Sequence, residues 1–386
     1  MQLIENNNLL NGTKAPENVP EEVTEGDEEI FARITSIELN PEQQERITSP
    51  AAAYPLEKSI LAIHWHPESV PFELILRRIG AMFPRACESL LIPTQHNVLM
   101  SCNEFSGVEV DCYSSGFNQK VQLLIHFKNE NLEHADVFKS MLRHTFKYRS
   151  SQLFDYIHAI TSPNDEWIGK AAEDTGSGQR MVRFVKIIVQ KIKTLLDLHA
   201  GDISEDVLKN KLIRNFFDEY RPVYGDRLIN RAQLYLTAIK QIVKAHFSNQ
   251  YFYETAEVIE EARSLNAGIV IPHPEQFWPI LLANYDVDGY EVWNPQSRRY
   301  TEFLISVLNE NNKNRRPGQK QLLIFMGDDT HMSEKVKHPA IQDPAKAGRE
   351  IGLQPAWNDF SVCKQLICGN IDKASVIREY RNRLLA

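Results

Sequence analysis

Short apolar segments alternate with amphipathic helical segments in two separate parts of this 386-residue chain. The first part contains SILAIHWH at 59–66, followed by PFELILRRIGAMF at 71–83. The second part contains GIVIPHP at 268–274 and, further on, RRYTEFLISVLNE at 298–310. Strands that alternate with helices are typical of parallel βαβ units. We therefore predict an α/β fold.

The region between these two parts has a different pattern. Residues 128–262 consist of amphipathic helical segments such as GQRMVRFVKIIVQKIKTLLDLHA, without a convincing strand. We interpret this region as a helical insertion that forms a lid or substrate subdomain. The expected domains are an acidic, partly ordered N-terminal extension (1–55), a first α/β half (56–127), the insertion (128–262), and a second α/β half with C-terminal helices (263–386).

The net charge of −8 is concentrated in the N-terminal extension. Residues 1–50 contain eleven Asp/Glu and three Lys/Arg, so the rest of the chain is close to neutral. A near-neutral body disfavours binding of long nucleic acid, which needs a basic surface. The sequence has no membrane-length apolar run, and it starts without a secretory signal pattern. Five cysteines without metal-type pairing indicate reduced thiols, and we expect a cytoplasmic protein.

Potential metal ligands occur at the end of nearly every apolar segment. They are His64, His66, His96, Glu109, His126, His273, Glu291, Asp328, Asp329 and His331. Because the carboxyl ends of parallel strands meet on one face, these groups are expected to converge there. A cluster of divalent cations would offset the carboxylates and use the imidazole lone pairs. Taken singly, His126 or Glu109 could equally be a hydrogen-bonded core residue.

The order of these groups resembles the polymerase-and-histidinol-phosphatase (PHP) superfamily of metal-dependent phosphoesterases. The resemblance covers about residues 58–127 and 265–335, on either side of the helical block. Its motifs are HWH at 64–66, TQHN at 94–97, GVEV at 107–110, LLIHF at 123–127, IPHP at 271–274, YEVWN at 290–294 and GDDTH at 327–331.

The resemblance implies a distorted (βα)₇ barrel of the TIM-like type, with two or three metal ions in its mouth. The ligands that it implies are His64, His66, Glu109 and Asp329 for the first metal, Glu109, His126 and His273 for the second, and His96 and His331 for the third. The sequence departs from the family at Gln95, where the family has Asp, and near Pro71, where Glu68 or Glu73 would have to replace an Asp or His. Both departures concern the third metal.

Other polar residues near these motifs are candidates for supporting the metals or contacting the substrate. They are Glu68, Gln95, Glu291, Asp328, Arg298 and Arg299. The two arginines follow the YEVWN motif and could contact a phosphate, or they could be ordinary cations on a helix surface.

The resulting hypothesis is hydrolysis of a small phosphate ester, such as a phosphomonoester, a nucleotide or a sugar phosphate. Zinc, manganese or iron would suit the mixed nitrogen and oxygen ligands. A hydroxide bridging the metals would be the nucleophile. Asp329, His331 and Glu109 are the expected catalytic residues, with Asp329 and His331 orienting the hydroxide or shuttling its proton.

Two other functions remain open at this point. The domain could be a catalytically degenerate barrel that serves as a binding or scaffold module. It could also hydrolyse C–N bonds as amidohydrolases do, although those enzymes usually carry a carboxylated lysine and none ends a strand here. The acidic N-terminus could in addition bind a protein partner.

Overall fold

The computed structural model describes residues 16, 18–162, 165–316, 318–368 and 371–386. These residues form two compact units. The helical unit comprises the described residues of 1–38 together with 147–248, and the sheet unit comprises 39–146 and 249–386. In these ranges, no helix combines the length and the apolar character needed to cross a bilayer.

The strands belong to the sheet unit. In chain order they are β1 (Ser59–Ala62), β2 (Trp65–His66), β3 (Glu88–Leu91), β4 (Met100–Cys102), β5 (Phe105–Ser114), β6 (Gln119–Lys128), β7 (Gly268–Ile271), β8 (Gly289–Trp293), β9 (Leu323–Met326) and β10 (Thr330–His331). Six of them form one sheet in the order β4-β5-β6-β7-β8-β9. Two small parallel sheets pair β1 with β3 and β2 with β10.

The helices occur in both units. In chain order they are α1 (Glu25–Thr35), α2 (Pro41–Thr48), α3 (Phe72–Met82), α4 (Asp136–Phe146), α5 (Tyr148–Thr161), α6 (Asp165–Thr175), α7 (Gln179–Leu198), α8 (Lys211–Glu219), α9 (Arg221–Tyr224), α10 (Asp226–His246), α11 (Thr255–Ser264), α12 (Thr301–Lys313), α13 (Met332–Val336), α14 (Pro344–Ala347), α15 (Phe360–Cys368) and α16 (Lys373–Leu385). The fold is therefore mixed α/β.

The strand directions are mixed and depart from a sheet made only of parallel βαβ units. β7, β8 and β9 are parallel, as βαβ units require, but β4, β5, β6 and β7 pair in an antiparallel manner. The short turn at residues 115–118 explains the β5–β6 pair, because parallel neighbours need a connection of about a dozen residues or more. Asn118 closes this turn in the left-handed conformation, with φ 50°. In the described residues, the strand pairing does not show a closed (βα)₇ barrel.

Backbone hydrogen bonds join the small sheets beyond the formal strands. The Thr94 amide donates to the Trp65 carbonyl over 2.9 Å, and the Asp329 amide donates to the His64 carbonyl over 2.9 Å. The segments that follow β1, β3 and β9 are thus held side by side. These are the segments that carry the predicted metal ligands.

Helices cover the sheet unit and build its core. α4 and α11 contribute Phe138 and Ile259 to the same apolar core as the β6 side chains. α16 adds Tyr380, which is fully buried. Because these helices pack on the sheet, the sheet unit extends to residue 146 and resumes at residue 249.

The helical unit has an apolar core of its own. Phe184 and Ile188 of α7 pack there with Phe216 of α8 and Ile239 of α10. The N-terminal helix α1 belongs to the same core through Phe31, which is 2% exposed. A Thr24 capping box begins this helix. This part of the acidic segment is consequently a packed element of the unit.

Candidate metal centre

Separate segments of the sheet unit bring imidazole and carboxylate groups together. His331 in β10 is paired with His66 in β2, and the centroids of their stacked rings are 4.3 Å apart. His96 forms an isolated bridge with Glu109 of β5, which places its Nδ1 2.6 Å from the Glu109 Oε2. The His96 ring also stacks on His66, with a centroid distance of 4.4 Å. These four side chains form one side of the cluster.

His64 and His273 form the other side. Their ring centroids are 5.6 Å apart, and His273 lies two residues after the end of β7. Asp329, in the turn between β9 and β10, lies between the two sides. Its backbone has the strained φ of 46°, and that of His273 has φ 28°. Positive φ values at residues other than glycine are uncommon and concentrate at functional sites.

The cluster is buried except on one side. His64, His66 and Glu109 are at most 1% exposed. The side chains of His96 and His331, by contrast, are 26% and 22% exposed. A small molecule could therefore approach the cluster along the edge formed by His96 and His331.

The separations between donor atoms match ligation of a common cation better than hydrogen bonding. The Asp329 Oδ1 lies 3.6 Å from the His64 Nε2 and 3.4 Å from the His66 Nε2. The Glu109 Oε1 lies 3.8 Å from the His64 Nε2 and 3.6 Å from the His273 Nε2. These separations exceed hydrogen-bond lengths. Donors bound tetrahedrally at about 2.0–2.2 Å from one ion are about 3.3–3.6 Å apart.

Unpartnered nitrogen atoms support the same interpretation. The His64 Nε2 and both ring nitrogens of His66 are buried without a hydrogen-bond partner. Leaving a buried polar atom unpaired costs free energy, so such atoms usually mark a missing ligand or water. Among the described residues, three overlapping groups of donors could each hold an ion: His66, His96 and His331; His64, His66 and Asp329; and His64, Glu109 and His273.

Glu291 orients two of the imidazoles. Its Oε1 lies 2.7 Å from the His64 Nδ1, and its Oε2 accepts a hydrogen bond from the His273 amide over 3.1 Å. A proton held on the His64 Nδ1 leaves the Nε2 lone pair free toward the cluster, as in other carboxylate–histidine–metal arrangements. Gly327 lies against this carboxylate, and a Cβ at that position would overlap it.

Arg349 and Gln296 contact Asp329, and neither residue is among those that the sequence motifs indicated. The Arg349 Nη1 donates to the Asp329 Oδ2 over 2.6 Å and to the Asp329 carbonyl over 3.0 Å. The Gln296 Nε2 donates to the same Oδ2 over 2.8 Å. Arg349 follows α14 in a segment without helical or strand periodicity, so no sequence signal pointed to it.

The electrostatic environment shifts the pKa values of the two histidines of the HWH motif in opposite directions. Burial opposes the charged form of His64, but Glu291, Asp329 and Glu109 outweigh this effect and raise the pKa of His64 to about 10. These carboxylates therefore favour a positive charge at this imidazole, whether it comes from a proton or from a metal ion on the Nε2. Burial, together with His331 and His96, lowers the pKa of His66 to about 3. Although burial works against it, the surrounding imidazoles hold the pKa of Glu109 well below its usual range. Glu109 is therefore an anion at neutral pH.

His126 lies outside the cluster, which corrects its assignment to the second metal. Its Nδ1 is 2.7 Å from the Tyr380 hydroxyl, and its Nε2 is 3.1 Å from the Ile63 carbonyl. Both ring nitrogens are thus used within the protein, and burial lowers the pKa of His126 to about 3. His126 has the geometry of a satisfied core histidine, the alternative that the sequence had left open.

Three other residues that the sequence predicted, Gln95, Glu68 and Asp328, lie next to the cluster. The Gln95 side-chain oxygen accepts from the Glu68 amide over 3.2 Å, and the Glu68 Oε1 lies 3.6 Å from the His331 Nδ1. Asp328 is fully buried and accepts from the Gly352 amide over 2.9 Å. Burial raises the pKa of Asp328 to about 7. Glu68 therefore lies beside His331, and Asp328 holds the Gly352 backbone behind the cluster.

Arg298 and Arg299 are exposed and contact aromatic rings. The Arg298 guanidinium lies 5.9 Å from the Trp293 ring centroid, and that of Arg299 lies 4.6 Å from the Tyr300 ring centroid. These contacts are typical of surface cation–π pairs.

The donor set as a whole suits divalent metal ions. Imidazole nitrogens and carboxylate oxygens in mixed sets bind zinc, manganese or iron. The buried unpartnered nitrogens and the donor spacing fit such an ion, so this cluster is a candidate metal centre.

Comparisons with known proteins add little to this geometry. No protein-family model matches the chain, and no curated protein matches it. One similar solved structure is a protein from Bifidobacterium adolescentis ATCC 15703, provisionally described as a metal-dependent phosphoesterase. It is 14% identical, with 84% of this chain and 99% of that chain covered, at a TM-score of 0.37. A likeness at that TM-score carries no argument about fold or function, so the case for a metal centre rests on the side chains themselves.

Proposed function

We propose that this chain is a metal-dependent hydrolase that cleaves a small phosphate ester. The observation that carries the proposal is the set of buried imidazole nitrogens, unpartnered in the protein, that face carboxylate oxygens at metal-ligand spacing. Its second support is the order of motifs that resembles PHP phosphoesterases, from HWH at 64–66 to GDDTH at 327–331.

The residues that would hold the ions are shared between neighbouring positions. His64 belongs to two of the three donor groups, one with Asp329 and one with Glu109. His66 also belongs to two groups, and it connects the buried position to the more exposed one at His96 and His331. Divalent ions held there would supply Lewis acidity and make water a stronger acid near neutral pH.

The protein groups around these positions would bind and orient the substrate. His96 and His331 are the partly exposed imidazoles, so they are the first that a phosphate would meet. The His331 Nε2 is 3.5 Å from the Asp329 Oδ1, and the His331 Nδ1 is 3.6 Å from the Glu68 Oε1. His331 is consequently the best placed group to hold or pass on a proton during hydrolysis, with the Asp329 Oδ1 beside it.

We also propose that the sheet unit is a distorted barrel of PHP type. The hydrogen bonds that connect the segment after β1 with those after β3 and β9 support this arrangement. The antiparallel pairs that β4, β5, β6 and β7 form would be part of the distortion.

The test combines metal analysis with a phosphate-release screen. Elemental analysis of the purified protein should find bound divalent metal, and a panel of small phosphomonoesters and nucleotides should include a substrate. Replacing both His64 and Glu109 with Ala should abolish metal binding and activity, whereas His134→Ala, at an exposed histidine, should change neither.

Three outcomes would overturn the proposal in different ways. A double variant that kept its metal and its activity would exclude the cluster as the site. A full metal complement without any hydrolysis would favour a binding or scaffold module. Cleavage of cyclic amides instead of phosphate esters would favour an amidohydrolase-type reaction.

A further inference from the structure

The two carboxylate oxygens of Asp329 have different surroundings. The Oδ1 faces imidazole nitrogens of His64, His66 and His331 at 3.4–3.6 Å. The Oδ2 accepts hydrogen bonds from Arg349 over 2.6 Å and from Gln296 over 2.8 Å. One oxygen therefore faces the metal centre and the other is occupied by protein donors.

Arg349 is held firmly in its place. It is 6% exposed, and its Nη1 donates to the Asp329 carbonyl as well as to the side chain. Its neighbour Glu350 accepts hydrogen bonds from Arg78 over 2.6 and 2.8 Å. Lys335 also reaches Glu350, over 2.8 Å. These contacts anchor the segment on one side of Arg349 to two other parts of the sheet unit.

The same segment is anchored again three residues later. Gly352 donates its amide to the buried Asp328, the residue next to Asp329. Gly352 has φ 76°, and a Cβ there would press on Ile60, so glycine is required for this close approach. Arg349 is thus fixed relative to Asp329 by contacts that do not involve the metal centre.

We infer that Arg349, assisted by Gln296, is a positioning residue that makes Asp329 a one-oxygen ligand of the metal centre. This inference rests on the proposed function, because it assigns a role toward the metal of the same site. A carboxylate can bind an ion through one oxygen or both. Two hydrogen bonds to Oδ2, one of them charge-assisted, must be broken before that oxygen can turn to the ion.

A second arginine of the sheet unit provides a matched control. Arg78 is 4% exposed. Like Arg349, it donates to a carboxylate with little solvent exposure, in this case that of Glu350. Its contacts do not include any residue of the candidate metal centre. Loss of Arg78 therefore reports what it costs to remove a buried arginine next to the same segment, without a direct effect on Asp329.

The experiment is a Co²⁺ titration of the metal-free full-length protein, followed by visible absorption. Co²⁺ with few ligands absorbs more strongly than six-coordinate Co²⁺, so the spectrum reports how many ligands each ion has. We compare the unchanged protein with Arg349→Met, Arg349→Lys, Gln296→Leu and Arg78→Met. Arg349→Met should lower the absorbance per bound Co²⁺ and weaken Co²⁺ binding by about 10- to 100-fold.

The other variants place this result in context. Arg349→Lys keeps one donor and should recover part of the absorbance, and Gln296→Leu should cause a smaller decrease. Arg78→Met removes one anchor of the Arg349 segment and leaves those made by Lys335 and Gly352, so it should change the spectrum of the bound ion much less than Arg349→Met does. If Arg349→Met does not fold, the two milder variants decide, because an exposed residue such as Gln296 tolerates replacement.

The possible failures are distinguishable. If the unchanged protein binds no Co²⁺ at all, the proposed metal centre is wrong, and this inference with it. If the protein binds Co²⁺ but the Arg349 and Gln296 variants keep the original spectrum and affinity, only the positioning role is wrong. The positioning role is also wrong if Arg78→Met changes the spectrum as much as Arg349→Met does.

Discussion

Each unit of the protein buries a cluster of charged side chains, but the two clusters differ in how their hydrogen bonds are satisfied. In the helical unit, the Lys191 Nζ is 2.7 Å from the Asp27 Oδ2, and the Tyr220 hydroxyl donates to the other oxygen. Asp27 and Lys191 are 2% and 3% exposed. This cluster balances its charge and uses its donors internally.

The cluster in the sheet unit leaves atoms unused. His66 is fully buried, and neither of its ring nitrogens has a partner. Its neighbours Glu109 and Asp329 are carboxylates whose nearest groups include several imidazoles at distances too long for hydrogen bonds. Burial of charge alone therefore does not identify a functional site. Unused donors and acceptors within it do.

The largest effect is expected where the balanced cluster is broken. Lys191→Met leaves the Asp27 carboxylate buried without its cation, so the free energy of unfolding should fall by about 3–5 kcal/mol. Urea unfolding followed by circular dichroism measures this loss. Lys186→Met, at an exposed position of the same helix, is the control.

Metal content sharpens the same comparison. Because Lys191 belongs to a purely structural cluster, its replacement should leave the metal bound per folded molecule unchanged. A Lys191→Met protein as stable as Lys186→Met would show that the Asp27 pair contributes little. Loss of metal from the folded variant would contradict the separation of the two clusters.

Tyr380→Phe tests the contrast between His126, whose ring nitrogens have partners in the core, and His66, whose ring nitrogens have none. The variant removes the hydroxyl that lies 2.7 Å from the His126 Nδ1. A buried nitrogen left without its partner should cost about 1–3 kcal/mol of unfolding free energy. Metal content should not change, because His126 uses its nitrogens within the core. If the variant also lost bound metal, His126 would have to be a metal ligand.

The pH dependence of stability offers a related test. Burial lowers the pKa of His126 from 6.5 to about 3, so below pH 6.5 the unfolded chain takes up a proton that the folded protein does not. This group therefore stabilises the fold above pH 6.5 and loses that contribution as the pH falls toward 3. The loss should reach about 2 kcal/mol at pH 5.

The measurement compares urea unfolding of the unchanged protein and of His126→Gln between pH 7 and pH 5. The variant should have the shallower decline, because it no longer carries the titrating ring. Parallel declines would show that His126 is already protonated in the folded protein, contrary to its burial.

The smallest effect is expected at the exposed arginines. Arg298→Ala removes the contact of an exposed guanidinium with Trp293 and should change the free energy of unfolding by no more than about 0.5 kcal/mol. The KM for a phosphate ester should stay the same, since the exposed Arg298 packs on the Trp293 ring instead of on the candidate metal centre. A large rise in KM would place Arg298 in substrate binding, as one of the two interpretations of the sequence had it.

The sequence indicates most of the candidate site because its residues follow apolar strands. His64 and His66 alternate along one extended segment, and Asp329 follows β9 closely. His126 is different, because β6 is buried on both faces and its apolar run does not reveal which face a side chain occupies. Its partner Tyr380 comes from α16, far away in the chain.

Contacts from irregular segments were beyond the reach of sequence patterns. Arg349 lies in an irregular segment whose position depends on Glu350 and Gly352. These two residues contact Arg78 of α3 and Asp328, which are far apart in the chain. The fold class follows from strand and helix alternation, but strand direction depends on connection length. The short turn at 115–118 reverses the chain, so β5 and β6 pair in an antiparallel manner, which strand and helix alternation does not indicate.

Because Gly327 has no side chain, a substitution at this position would disturb the candidate metal centre. One added methyl group there would displace the Glu291 carboxylate. That carboxylate is hydrogen-bonded to the His64 Nδ1 and to the His273 amide. A change at a residue that offers no ligand would then misalign two imidazoles at once. Gly327→Ala should accordingly resemble loss of a ligand more than loss of packing.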